Sequence, residues 1–410
     1  MKLTDKQKEE LNSGIRFNMD VANGELFANQ EKRRFSMGSE KKRVILLIAA
    51  LVVLFILGVF FTNDLFLGFS GLPTFIKQAA QRANDIIDLI LGNKLSTGIH
   101  FFLIQFAAPV VVGMGLAASG ACYQGLFHNP MASPTLLGVS SGGMIGSAVF
   151  VLFFSNLQTV SPAYAGYGSL TGVYMNMSIF ERFAQQLFIM AGCFVVIVIV
   201  LIIAKIAGHG KISVYGLMLG GSAFSVVISS LLQLAAYILT VTGYSSTVIT
   251  QIRSMLAGQF TTIANPGEFL FMSVPIIIPL IILFLMSNRL NVIAFGEEEA
   301  KAMGVNVERS RIIMILITTI MTGVTVAFCG QISFVGLMIP QLARVIVGND
   351  HRYLLPASAL LGGISMLLAY ILYYTLNFNL SVGAYVNTIG AIAFLIFMIH
   401  HRRSGHADWT

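Results

Sequence analysis

The sequence predicts an all-α protein threaded repeatedly through a membrane. Three observations carry that reading. Of 410 residues, 56% are hydrophobic and only 10% are charged, whereas soluble domains carry about 25% charged residues. Apolar runs recur at about the length that crosses a bilayer, roughly 20 residues. The sparse Lys and Arg gather at the ends of those runs and in the N-terminal segment, as they do on the cytoplasmic side of membrane proteins. The net charge of +7 is therefore a topology signal, and nucleic acid is not expected as a partner.

The first apolar run starts at Val44, so residues 1–43 form a basic tail expected in the cytoplasm, partly on anionic lipid. No cleavable leader is expected ahead of it. Phe75 to Leu91 repeat apolar residues at helical spacing and end at Gly92, an amphipathic helix on the outer face. The second span, about 98–121, ends in small residues that let helices approach closely. Ser133 and Pro134 read as the N-cap and first residue of the third span. Residues 155–182 form an outer loop, Leu187–Ala204 the fourth span, and about 214–241 the fifth. After a second outer loop, 242–266, comes a sixth span at 267–287, bent by Pro275 and Pro279.

The stretch from Ser287 to Arg311 does not belong in hydrocarbon. It reads as two short helices, Glu298 to Met303 stopped by Gly304, then Asn306 leading into Glu308–Arg311. Charge alone fits a solvated loop equally well as a docking surface for a soluble partner. The seventh span is Ile312–Cys329. Ser333–Val347 is short for a span, yet treating it as re-entrant would move Arg344, Arg352, Arg402 and Arg403 outside, so it is kept as a crossing. Runs at about 353–376 and 382–399 complete ten spans within residues 44–400, with 401–410 as a cytoplasmic tail. On that topology all of the 25 Lys/Arg face inward except Lys77, Arg82, Lys94, Arg182 and Arg253.

Chemistry-bearing motifs are scarce. Gly138-Val139-Ser140-Ser141-Gly142 matches the G-x-S-x-G nucleophile pattern, but it lies in an apolar run, and no acidic residue stands between Asp88 and Glu181. Cys122, Cys193 and Cys329 fall in apolar runs without metal-ligand spacing and read as packing residues. No catalytic or metal site is expected. There is no Walker A lysine motif and no intramembrane carboxylate pair. A transporter without an engine needs one from a partner, which favours docking as the role of the charged island.

Several stretches together resemble the FecCD-type ABC importer permeases. They are Ser119 to Leu126, Asn129-Pro130-Met131-Ala132-Ser133-Pro134 and Leu137 to Gly142. Leu290-Asn291 with Gly296-Glu297-Glu298 and Gly304 to Val307 also match, as does Gly330 to Arg344 followed by Asp350-His351-Arg352. The resemblance implies the BtuC-like type II importer fold and a permease for an iron-siderophore, haem or cobalamin in the bacterial cytoplasmic membrane. It implies a second permease copy or sister permease, a cytoplasmic ATPase dimer that holds ATP and Mg, and an extracytoplasmic binding protein. It places ATPase coupling on Phe295, Gly296, Glu297, Glu298, Glu299, Met303, Gly304, Val305 and Asn306, and a cytoplasmic gate at Ser213, Val214 and Tyr215. It lets Ser119, Gln124, Asn129, Ser140, Ser141 and Gln341 border the translocation path. Where the family usually has Arg-x-Pro-Arg, this chain has Phe102, Leu103, Ile104 and Gln105. A secondary transporter, and more remotely an intramembrane serine hydrolase using Ser140, are the other readings.

Overall fold

A computed structural model describes residues 39–56, 97–154, 179–209, 214–242, 258, 266–376 and 381–403. The amphipathic helix at 75–91, both outer loops, most of the N-terminal tail and Ser213 lie outside the described residues. The chain divides into two units, Met1–Leu46 and Leu47–Thr410. Of the first, residues 39–46 are described, and they are helical.

Helix α1 covers residues 39–56. It is followed by α2 (Thr97–Leu126), a 3-10 turn at Pro134–Leu137, α3 (Val139–Phe154), α4 (Ile179–Ala207), α5 (Val214–Val241) and α6 (Pro266–Leu285). Then come α7 (Ser287–Phe295), α8 (Glu297–Ala302), α9 (Val307–Cys329), α10 (Val335–Val347), α11 (His351–Leu376) and α12 (Val382–Arg403). Among the described residues, six helices are long and apolar enough to cross a membrane, namely α2, α4, α5, α6, α9 and α11. Three shorter apolar helices accompany them within α3, α10 and α12. Of the ten crossings expected from hydropathy, six coincide with helices long and apolar enough to cross a membrane among the described residues. At 1.5 Å per residue, the 13 residues of α10 reach only about 20 Å, so α10 alone does not traverse about 30 Å of hydrocarbon.

The bundle is arranged by burial. Within their apolar stretches, α2 and α9 are each 78% buried, while α5 is 6% buried. Thus α2 and α9 form the centre, and α5 presents Leu219, Val226, Leu231 and Tyr237 outward. In lipid there is little hydrophobic drive between helices, so packing relies on small residues that bring backbones together. The sequence supplies them at matched positions. A methyl group on Gly113 of α2 would run into the Gly362 carbonyl of α11, and one on Gly362 would run into the Gly113 carbonyl. Gly142 of α3 and Gly192 of α4 meet in the same way.

Polar side chains in the core turn on their own helices. Thr318, Thr319, Thr322 and Thr325 are buried on α9. Their hydroxyls donate to the carbonyls of Met314, Ile315, Thr318 and Met321 at 2.7–2.8 Å. That satisfies each hydroxyl without a partner helix.

Two expected boundaries move. The third span does not start as an α-helix at Pro134. Ser133 is extended there, but its hydroxyl meets Thr135 Oγ1 at 2.9 Å and caps no backbone N–H. A 3-10 turn forms instead, Gly138 ends it at φ +79°, and α3 begins at Val139. Likewise Glu308–Arg311 is not a separate short helix. Asn306 accepts from Arg309 N–H, and nothing breaks the helix between there and Cys329.

The glycine contacts lead to a stability prediction. Gly362→Val should force α2 and α11 apart and lower the unfolding temperature of the detergent-solubilised protein, an overpacking cost of about 1–3 kcal/mol. Gly304→Ala is the contrast in open space, since nothing lies within 4 Å of a Cβ there. Its effect should be confined to the local backbone.

Candidate functional site

The polar island between α6 and α9 is a braced hairpin. Its first part, α7, is a helix that hydropathy reads as loop, and its apolar side chains Leu290 and Ile293 are fully buried. Gly296, at φ +149°, turns the chain into α8. The first turn of α8 holds Glu297, Glu298 and Glu299, where negative charge suits the helix dipole. Ala300 is fully buried and faces inward. Val305 N–H returns to the Ala300 carbonyl at 2.9 Å, with Gly304 left-handed at φ +79°. Asn306 then caps α9.

Arg311 fixes the hairpin. It lies one turn into α9, is 5% exposed, and pairs with Glu297 through its guanidinium. The hydrogen bond from Arg311 lowers the Glu297 carboxyl pKa against the opposing effect of burial, with help from the charges of Arg311, Lys301 and His128. The Lys301–Glu298 pair at 2.7 Å is exposed and adds little. With its inner face so anchored, the hairpin presents Phe295 at 79% and Met303 at 64% exposure, on either side of the acidic turn. An exposed aromatic ring and a flexible thioether bracketing charge form a surface suited to a protein partner.

The other expected site residues fall elsewhere. Val214 and Tyr215 open α5. Ser119, Gln124, Ser140, Ser141 and Gln341 are buried between helices, while Asn129 is half-exposed. Most of them act as braces. Gln341 Nε2 donates to Gln124 Oε1 at 2.8 Å and to the Pro130 carbonyl at 2.9 Å. Gln124 Nε2 donates to the Leu337 carbonyl at 2.9 Å. Asn129 Nδ2 reaches Met218 Sδ at 3.4 Å and its Oδ1 accepts from Met131 N–H at 2.8 Å. Ser141 Oγ donates to the Gly138 carbonyl at 2.7 Å, and Ser119 Oγ lies 4.0 Å from Met321 Sδ. Ser140 Oγ is buried without a partner. At the position of the absent arginines, Gln105 is buried and accepts from Tyr370 OH at 2.6 Å.

Sequence comparison places this architecture. A profile described as the FecCD transport family matches residues 50–400. The chain belongs to the FecCD transport family. Among its relatives is the hemin transport system permease protein HmuU of Yersinia pestis, 32% identical over 75% of this chain and 85% of that one. The vitamin B12 import system permease protein BtuC of Salmonella typhi is 32% identical over 76% of this chain and 88% of that one. A solved structure described as an inward-facing conformation, and assigned to a metal-chelate type ABC transporter, superposes with a TM-score of 0.65 at 25% identity. The match covers 88% of this chain and 99% of that one. The BtuC-like permease fold of the FecCD family is thereby shown for this chain, and its named relatives are transport permeases.

Within the FecCD frame the geometry missed by sequence reading is mainly pairing: α7 as a helix, Arg311 with Glu297, and the threonine row on α9. Only Arg311 left a trace, as the last charge before the apolar run that starts at Ile312.

Two predictions follow from these contacts. Glu297→Gln leaves Arg311 buried without its counter-charge and should cost about 1–2 kcal/mol, the modest figure because solvent reaches Glu297. The folded carboxyl pKa lies below its ordinary 4.5, so the stabilisation is present above that value and lost as pH falls through the depressed one. Unfolding temperatures of parent and variant should therefore differ near neutrality and converge in strong acid. Ser140→Ala removes an unpartnered buried hydroxyl and should leave insertion and transport unchanged. Loss of activity with normal insertion would revive a nucleophilic role.

Proposed function

We propose that this FecCD chain is the membrane-spanning subunit of an ATP-driven importer in the bacterial cytoplasmic membrane. Its cargo is a bulky chelate, namely an iron-siderophore, haem or a corrinoid. A separate ATPase dimer, which binds ATP and Mg, docks on residues 295–306. A second permease copy or a sister permease lies along the outward apolar face of α5, with Ser213, Val214 and Tyr215 at the gate. An extracytoplasmic binding protein delivers the cargo, and both termini lie in the cytoplasm.

The observation that carries this reading is the hairpin. Phe295 and Met303 stand exposed beside three glutamates on a short helix whose inner face is held by Ala300 and the buried Arg311. A solvated loop has no need of an exposed ring on a braced support. The haem, B12 and metal-chelate assignments of the relatives favour the cargo class. The positions of the missing outer arginines are filled by Phe102 and Gln105, which favours a binding protein held by apolar contact with shallow salt dependence.

The test is purification of the chain from its native membrane with whatever binds it. A stoichiometric ATPase partner is expected. Phe295→Ala with Met303→Ala should cut its recovery by about tenfold or more, the effect of removing interface anchors. Uptake that survives ATP depletion and collapses with the proton gradient would replace this reading with secondary transport.

A further inference from the structure

Two short motifs, Leu290-Asn291 and Asp350-His351-Arg352, converge on one side-chain amide. Asn291 Oδ1 accepts from His351 N–H and lies 2.8 Å from both that nitrogen and His351 Nδ1. Asn291 Nδ2 donates to Asp350 Oδ1 at 2.7 Å, across 59 residues of sequence. The assignment of the amide is forced. A backbone N–H can only donate, so the atom facing it is the oxygen. The amide nitrogen then faces a carboxylate, which only accepts. The same oxygen fixes the proton of the neutral imidazole on Nδ1.

Everything around this amide is braced. His351 is 4% exposed, and its ring packs so tightly on α2 that a methyl group on Gly125 would collide with Nε2. The Asp350 carboxylate is chelated by Arg352, with Nε at 3.1 and 3.0 Å from its two oxygens, and accepts from Arg352 N–H at 3.0 Å. Burial raises its pKa, but these bonds and the Asn291 amide outweigh burial and hold it at about 2. On the other side of α7, His128, just beyond the end of α2, lies 3.0 Å from the Ile293 carbonyl through Nε2. Helix α7 is thus fastened to the start of α11 and to the end of α2. It ends at Phe295, where the exposed hairpin begins.

We infer that Asn291 is a positioning residue for energy transfer. It locks α7 to the start of α11, so that displacement of the hairpin at 295–306 is delivered to the α2–α11 pair. The inference rests on the reading of that hairpin as the ATPase dock. Covalent continuity alone sends hairpin motion into α6 and α9. The Asn291 amide and the His128 contact add a path into α2 and α11, which are already joined at Gly113 and Gly362.

The test uses the full complex purified with its ATPase in lipid nanodiscs. The reporter is Met131→Cys, just past α2 and 43% exposed. The native Cys122, Cys193 and Cys329 are buried, so on this chain a maleimide reads the reporter alone, and its band is separated from the ATPase by denaturing electrophoresis. In the parent its labelling rate should change by about fivefold between the nucleotide-free and ATP–vanadate states, as motion reaches α2. Asn291→Ala should reduce that change to less than about twofold while ATP hydrolysis stays within about twofold. Asn291→Asp, which sets two carboxylates against each other, should do the same. The exchange Asn291→Asp with Asp350→Asn puts the carboxylate at 291 and the amide at 350. It rebuilds the 291–350 hydrogen bond and both bonds from His351, at the expense of the bonds that Arg352 N–H and Nε make to Oδ1 of residue 350. It should recover a clear part of the response, which a loss of general packing would not allow. An undiminished response in Asn291→Ala overturns the inference and leaves the docking reading standing. An exchange variant as unresponsive as Asn291→Asp overturns it too. Failure of the parent to retain any ATPase removes the docking reading itself, and the inference with it.

Discussion

Direct contact between helix backbones is the constraint on which this bundle depends. Along α2, Gly113 and Gly362 of α11 each face the other's carbonyl with no room for a methyl group, and Gly120 faces the Gly336 carbonyl of α10 just as closely. In lipid, apolar side chains gain little by leaving the solvent for one another, so close packing and satisfied polar groups carry association. The glycines allow the first, and they place the helices near enough for the second. Gln124 of α2 reaches the Leu337 carbonyl and Gln341 of α10 only because the two helices touch at Gly120. A bulky residue there would separate a hydrogen-bonded pair as well as a packed one.

The same centre supports the exposed hairpin. Residues 287–311 are polar, but they are not loose. Leu290, Ile293, Ala300 and Val307 are buried in one cluster with Leu126, Phe127 and Leu355. The hairpin therefore shares its footing with α2 and α11, while its outward side carries Phe295, Met303 and the glutamates. One face is committed to the membrane body and the other is left for a partner.

Much of this was legible in the sequence. The long spans were readable because uninterrupted apolar runs allow few other structures in a bilayer, and α5, predicted at about 214–241, runs Val214–Val241. The charged island was readable because glutamates cannot sit in hydrocarbon. Its inner construction was not. Ser287–Phe295 mixes four polar residues with five apolar ones, and only the burial of Leu290 and Ile293 makes it a helix in context. Asn306 was expected at a turn, and its capping bond turns that residue into the start of a 23-residue helix. Ser133 carried the chemistry of a cap, yet Thr135 two residues on offered its hydroxyl a nearer partner. The serine and glutamine side chains assigned to the path are polar residues in apolar helices, a pattern that a pore and an internal brace share. The hydrogen-bond partners of the glutamines lie on distant parts of the chain, and a single sequence does not contain that pairing.

The threonines of α9 carry a mechanical consequence. Every one of the four donates back into its own helix, so none donates to a neighbour. A rod whose hydroxyls are spent internally shows adjoining helices mostly methyl groups and aliphatic chains. Displacement of α9 along its neighbours leaves the four threonine-to-carbonyl bonds intact. Helix α9 begins at the Asn306 cap and runs into the middle of the bundle, 78% buried. It has the lining of a bearing, in a place where a strut of interlocked polar groups would have frozen the axle.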